Sequence, residues 1–147
     1  MYDTILFPTD GGKGSERAAE SAVETAAAHG ATLHVLHVVD EGVYRAYSGD
    51  EYVHDSEGLE AGLEQEGREA VEDVAESARE AGVEVVTEVE HGTPHDRILG
   101  YAEDTSADII IMGTKERTGE YRQLLGSVTD RVVRTSGVPV TVVKTPV

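Results

Sequence analysis

The 147-residue chain has no cysteine and no tryptophan, and Phe7 is its single phenylalanine. Without cysteine there is no disulfide framework, no thiolate nucleophile and no thiolate-ligated zinc site. Long apolar runs are missing too. Ile109-Ile110-Ile111-Met112 is among the longest, far short of the ~20 residues that cross a bilayer. The opening segment, MYDTILFPTD, carries no basic stretch and no long apolar block, so no secretory signal is read there and the expectation is a soluble cytoplasmic protein with no membrane partner. Positive charge is scarce as well. Lys13, Lys115 and Lys144 are the only lysines, and 12 Lys and Arg face 29 Asp and Glu. No basic stripe is available to displace counterions from a phosphate backbone, which argues against a nucleic-acid partner.

What is present points to an ordinary folded domain with an extreme surface. Apolar residues make up 39% of the chain, enough for one core in one domain spanning 1–147. The formal net charge is −17. Self-repulsion of that size costs stability at low salt and keeps a protein dispersed. Screening shortens to ~3 Å at 1 M salt, where the cost largely disappears. Two readings follow: halophilic adaptation to a salt-rich cytoplasm, or a solvated acidic surface of the common kind. The acids spread over every predicted helix and form no tail, which favours the first.

Strands and helices alternate along the chain. Tyr2–Thr9 reads as a strand around Ile5-Leu6-Phe7, apolar on both faces as in a buried parallel sheet. After the Asp10–Gly14 loop, Ser15 is a candidate cap for a helix carrying Ala18, Ala19, Ala22, Val23, Ala26 and Ala27, with Gly30 as its stop. Leu33–Val39 is a second strand. Residues 40–58 have no period and hold Tyr44, Tyr47 and Tyr52, read as packing on the next helix or as a lid. That helix spans Leu59–Ala81, with Leu59, Leu63, Ala70, Val74, Ala78 and Ala81 on its apolar stripe. Val83–Val89 is partly polar in its alternation and suits a sheet edge. Thr93-Pro94 opens a helix with Ile98, Leu99 and Ala102 inward. Asp108–Met112 is a fourth strand. Ser127 is placed as the cap of a helix with Val128, Val132 and Val133 inward and Asp130 closing a capping box. Val138–Lys144, with Pro139 near its start, is a last strand that suits an edge. The pattern predicts a three-layer α/β/α domain with a parallel sheet.

In open parallel sheets ligands bind beyond the carboxyl ends of the strands, where the winding reverses. Two loops qualify: Pro8-Thr9-Asp10-Gly11-Gly12, and the stretch MGTKERTGEYRQLLGSV over 112–128. In the second, Gly113 lets the backbone leave the strand with no side chain over the crevice. Gly126-Ser127 starts a helix whose N–H groups are free to meet an anion. Lys115, Arg117 and Arg122 gather within eight residues, beside Glu116 and Glu120. Other signals are weaker. Gly11-Gly12-Lys13-Gly14 fits no phosphate-loop pattern. His91 and His95 are four apart but straddle two elements, and His34 and His37 lie on opposite faces of a strand, so no metal site is expected. Asp10 has no legible nucleophile or histidine beside it, and Gly126-Ser127 lacks the G-x-S-x-G elbow of a hydrolase.

ILFPTD near the start, LHVV in the second strand, HGTPHDRI, DIIIMGT and LLGSVTDRVV together resemble the universal stress protein family over essentially the whole chain. The resemblance implies an adenine nucleotide alpha hydrolase-like fold with a five-stranded parallel sheet in order 3-2-1-4-5, and frequent homodimers. It also implies that the chain falls among either nucleotide-binding or non-binding members. Binders are similar in a loop of glycine, two residues, glycine, nine residues, glycine, then serine or threonine. Here Gly113 and Gly126-Ser127 fit, but the second glycine is Glu116. By resemblance Asp10 and Val38 meet adenine or ribose, and Gly126, Ser127 and Val128 meet phosphate. Pro8, Thr9, Met112, Gly113, Lys115 and Arg117 complete the expected contacts. The implied ligand is ATP or a related adenine nucleotide, with Mg²⁺ accompanying it. No base or water-positioning residue is assigned, so any hydrolysis is expected to be slow. The alternative is a regulatory or structural homodimer without nucleotide, paired through the edge strand Val138–Lys144.

Glu116 decides between these branches. A glycine there permits close backbone approach to phosphate. Like charges 4 Å apart repel by ~1 kcal/mol in water and ~4 kcal/mol at an effective dielectric of 20. Glu116→Gly is therefore expected to tighten ATP binding, by about tenfold or more if the carboxylate faces the phosphates. Calorimetric titration of the variant checks this, and unchanged or weaker affinity contradicts the electrostatic penalty.

Overall fold

A computed structural model of the protein describes residues 1–12, 15–42, 53–115 and 126–145, excepting the side chains of 53–57, 115 and 145. Lys13, the tyrosines at 44, 47 and 52, Glu116, Arg117 and Arg122 lie outside the described residues, as does the side chain of Lys115.

Five strands form one parallel sheet: β1 (Thr4–Pro8), β2 (Thr32–Asp40), β3 (Val85–Gly92), β4 (Ile109–Lys115) and β5 (Val140–Thr145), in the order β3-β2-β1-β4-β5. Four described helices alternate with them: α1 (Glu16–His29), α2 (Val53–Glu80), α3 (Pro94–Asp104) and α4 (Ser127–Thr135). The expected three-layer architecture and strand order both hold.

The strand period of two sorts the core. Ile5, Phe7, Leu33, Val35, Ile109 and Ile111 face α1 and α2; Leu6, Leu36, Ile110 and Met112 face α3 and α4. With one phenylalanine available, close packing relies on aliphatic side chains and on small helix residues. Ala18, Ala22, Ala26, Ala75 and Ala78 are fully buried, which lets α1 and α2 lie close against the sheet.

Several boundaries differ from the sequence reading, each for a local reason. The helix α2 begins at Val53 and not at Leu59, because the apolar period marks only the part that packs. Its buried stripe is Gly67, Val71, Val74, Ala75 and Ala78, while Ala81 is exposed beyond the helix end. Strand β3 is shifted to 85–92 because its hydrogen-bonded register with β2 continues to Asp40↔Gly92. Val133 is an exposed residue of α4, and Val132 alone of that pair is buried. Gly126, not Ser127, is the N-cap of α4. No capping box forms there, and Asp130 instead receives the Arg134 guanidinium at 3.0 and 3.1 Å.

At the amino ends of the strands, Asp108 ties the central pair together. Its Oδ2 accepts the N–H groups of Asp3 and Thr4 at 2.8 and 2.9 Å. The Thr4 and Asp3 bonds, in that order, hold its carboxyl below its ordinary value of 3.8. A depressed carboxylate stabilises the fold above its unfolded value and loses that contribution as pH falls through the lower folded one. Asp108→Ala is thus expected to be less stable than the parent at pH 7, with the gap shrinking below pH 3.8. Urea unfolding at neutral and acidic pH tests this; a gap independent of pH contradicts it.

Candidate functional site

Strand β1 changes neighbours at the crevice. It pairs with β2 through Pro8↔Leu36, but its ladder with β4 stops at Leu6↔Ile110. Proline explains the early stop. Odd-numbered residues bond toward β2: Asp3 O accepts the Thr32 N–H at 2.9 Å, and the Thr9 N–H donates to Leu36 O at 2.8 Å. Even-numbered ones turn to β4, where Thr4 O accepts the Asp108 N–H at 2.8 Å. Residue 8 should therefore offer its N–H to β4, and proline has none. The seam beyond Leu6 opens between the ends of β1 and β4.

The first wall is the loop after β1. Thr9 is 7% exposed, and each of its polar atoms is engaged. Its N–H donates to Leu36 O, its Oγ1 accepts the Gly11 N–H at 3.1 Å, and its carbonyl accepts His37 Nδ1–H at 2.8 Å. Asp10 is exposed and its Oδ1 accepts the Gly12 N–H at 2.8 Å. Ser15 closes the loop, with its N–H and Oγ–H both reaching Gly12 O, at 3.0 and 2.7 Å. The Ser15 hydroxyl therefore fastens the loop and does not cap α1.

The second wall is the β4–α4 junction. The chain does not leave the sheet at Gly113, as the sequence reading has it. Gly113 pairs with Val143, and β4 continues to Lys115↔Thr145 because β5 lies alongside it. Two threonines then lock the helix to the strand. The Gly126 N–H donates to Thr114 Oγ1 at 3.0 Å, and Thr129 Oγ1–H donates to Gly113 O at 3.2 Å. Thr9, Thr114 and Thr129 are the buried polar side chains among the described residues, and all three sit at this edge of the sheet. Sequence reasoning missed Thr114 and Thr129; their signal was a threonine next to the first glycine and another just after the second.

The α4 amides point into this opening. The first bond of the helix runs from the Asp130 N–H to Gly126 O at 2.8 Å. The N–H groups of Ser127, Val128 and Thr129 precede it and have no acceptor among the described residues, as a helix start requires. Together with the positive end of the helix dipole they suit an anion. Ser127 is exposed beside them. Next to the amides, Met112, Val38 and Val128 join the apolar cluster on the α3/α4 side of the sheet. Of the residues expected there, Pro8 ends β1, Thr9 and Asp10 follow it, Val38 lies in β2, Met112 and Gly113 in β4, and Gly126, Ser127 and Val128 at the start of α4.

His34 and His37 lie on opposite faces of β2, and His91 and His95 on different elements. His91 Nε2 meets Glu64 at 2.7 Å, and His95 meets Asp96 at 3.2 Å. His34 bonds the Tyr101 hydroxyl at 2.8 Å on the α3 side, whereas His37 lies on the other face. No metal-ligand cluster of three such side chains occurs among the described residues. A separate groove of 540 Å³ runs between α1 and α2, behind the Thr9–Gly12 loop.

A doubly wound parallel sheet that opens at its switch point is the α/β arrangement in which ligands generally bind beyond the strand ends. The model of the universal stress protein family matches residues 1–144. Universal stress protein MJ0531 of Methanocaldococcus jannaschii is 38% identical over 146 residues, covering 99% of this chain and 84% of that protein. YxiE of Bacillus subtilis is 32% identical over 148 residues, covering 98% and 100%. Among solved structures, MJ0577 of M. jannaschii superposes with a TM-score of 0.84 at 32% identity, covering 100% and 99% of the two chains. A universal stress protein solved in complex with cAMP superposes with a TM-score of 0.73 at 26% identity, covering 99% of each. The chain belongs to the universal stress protein family. Among the described residues no helix is long and apolar enough to cross a membrane.

Proposed function

We propose that this protein is a stress-response module that binds ATP or a related adenine nucleotide in the crevice between the β1 and β4 loops. The observation that carries the reading is the row of acceptor-free amides at Ser127, Val128 and Thr129 beside the apolar seat of Val38, Met112 and Val128. The seat suits a flat purine, the amides suit phosphate oxygens, and Asp10 at the rim suits ribose hydroxyls. The relative that holds cAMP supports the choice of an adenine nucleotide. By the family resemblance Lys115 and Arg117 are expected among the phosphate contacts, with Mg²⁺ accompanying the phosphates. We assign no residue as general base, and any hydrolysis in this reading is slow.

The decisive variant is Gly126→Asp. Gly126 has an extended backbone at φ −70° and ψ 163°, and a Cβ there meets no atom within 4 Å. Aspartate is a favoured N-cap, so folding stability is expected to hold or rise. Its carboxylate would occupy the same amides as the phosphate and repel it. ATP affinity is expected to fall by about tenfold or more, measured by calorimetry with Mg²⁺ at low and at molar salt. A parent protein that binds no adenine nucleotide under either condition rules the reading out.

The non-binding homodimer is the second reading, favoured by Glu116 at the position where binders carry glycine. In either case β5 is an edge strand that pairs, among the described residues, with β4 alone, and an open ladder can pair with a second copy. Light scattering is expected to report a dimer; a strict monomer at high concentration contradicts pairing through β5, which spans Val140–Thr145 and not the Val138–Lys144 expected from sequence.

A further inference from the structure

We infer that His37 is a positioning residue for the candidate nucleotide site, acting from behind it, and that Gly67 exists to seat its ring. The inference rests on the nucleotide reading for its consequence but on geometry for its substance. Along β2, Val38 faces the α3/α4 side, where the apolar seat lies. Its neighbour His37 necessarily faces the other side, toward α2. From there its Nδ1–H reaches Thr9 O at 2.8 Å, across 28 residues of sequence. That bond orients the Thr9–Asp10 peptide, and thus the whole turn that ends in the Asp10–Gly12 and Ser15–Gly12 bonds.

The helix α2 is shaped around this contact. Gly67 is buried in the interior of a 28-residue helix, a position where glycine is unfavourable by about 1 kcal/mol relative to alanine. A Cβ on Gly67 would collide with Cδ2 of the His37 ring and press on Cγ at 3.0 Å and Nε2 at 3.1 Å. One turn later, Ala70 lies against Gly11, where a Cβ would come within 2.9 Å of the Ala70 Cβ. Gly11 has φ +77°, a conformation that glycine adopts without strain. Gly67 and Ala70, three apart, therefore make one small-residue face of α2 that admits the imidazole and the loop backbone together. The loop that carries Asp10 is held between β2 and α2, and His37 adds a side-chain link to the backbone bond from the Thr9 N–H to Leu36 O. It touches no ligand; it sets where Asp10 stands.

The test uses the full chain and two readouts. Amide hydrogen exchange at Gly11 and Gly12 is measured in the nucleotide-free protein, and ATP·Mg²⁺ is titrated calorimetrically. His37→Ala is expected to speed exchange at both glycines and to weaken ATP binding, each by about tenfold. His37→Asn, whose amide donates from nearly the same place as Nδ1, should restore most of both. Gly67→Ala, which improves helix propensity and so should not unfold the chain, is expected to behave like His37→Ala. Unchanged exchange at Gly11 and Gly12 in His37→Ala and Gly67→Ala overturns the inference. Faster exchange with unchanged ATP affinity overturns the positioning role. If the parent binds no nucleotide, the functional reading fails, and the exchange comparison alone still decides whether His37 holds the loop.

Discussion

The structure depends on an interrupted ladder. The middle of the sheet, β1 between β2 and β4, is its most buried part, with Ile5, Leu6 and Phe7 fully covered. A continuous hydrogen-bonded seam there would leave no room for a ligand. Pro8 ends the seam on one side only, because its missing N–H falls on the β4 side while Thr9 still bonds to β2. The strands therefore remain joined where the core needs them and part where the loops begin. Everything at the candidate site hangs from that parting, with Thr9 and Asp10 on one lip and the start of α4 on the other.

Two kinds of contact keep the lips in place. On the α4 lip, buried threonines bind backbone to backbone: Thr114 takes the Gly126 N–H, and Thr129 gives its proton to Gly113 O. A buried polar group left unsatisfied is costly, so each bond fixes its partner's position closely. On the β1 lip the turn is braced by side chains at Thr9, Asp10 and Ser15, and by His37 from beneath. The site is thus preorganised from its own backbone, with free amides aimed outward at the helix start. Preorganisation of this kind lowers the ordering cost of taking up a charged ligand.

The chain's net charge of −17 works against any anionic ligand at long range. Free helix amides act only at short range, within the first turn of the helix. Asp130, in the first turn of α4, engages Arg134 one turn below and not the amides above. The Asp130 carboxylate is in this way directed down the helix.

Most of the fold was legible in the residues. Alternation of apolar strands with alanine-rich helices, the stop at Gly30, and the Thr93-Pro94 start are local signals, and local signals survive without knowledge of the neighbours. Parallel strands covered on both faces read as apolar runs, so β1 and β4 were recognisable from Ile5-Leu6-Phe7 and Ile109-Ile110-Ile111 alone. The small-residue positions Gly113, Gly126 and Ser127 were also visible as a candidate site. Only the tertiary structure decided that β4 runs on past Gly113, since a strand's length is set by the partner beside it, here β5. It alone showed that Gly126 and not Ser127 caps α4, because Thr114, twelve residues away, takes the Gly126 N–H. His37 and Gly67 carry no sequence pattern of their own. Their parts in the site come from bonds and contacts between segments far apart in the chain, and periodicity along one segment contains no information about which distant atom it will meet.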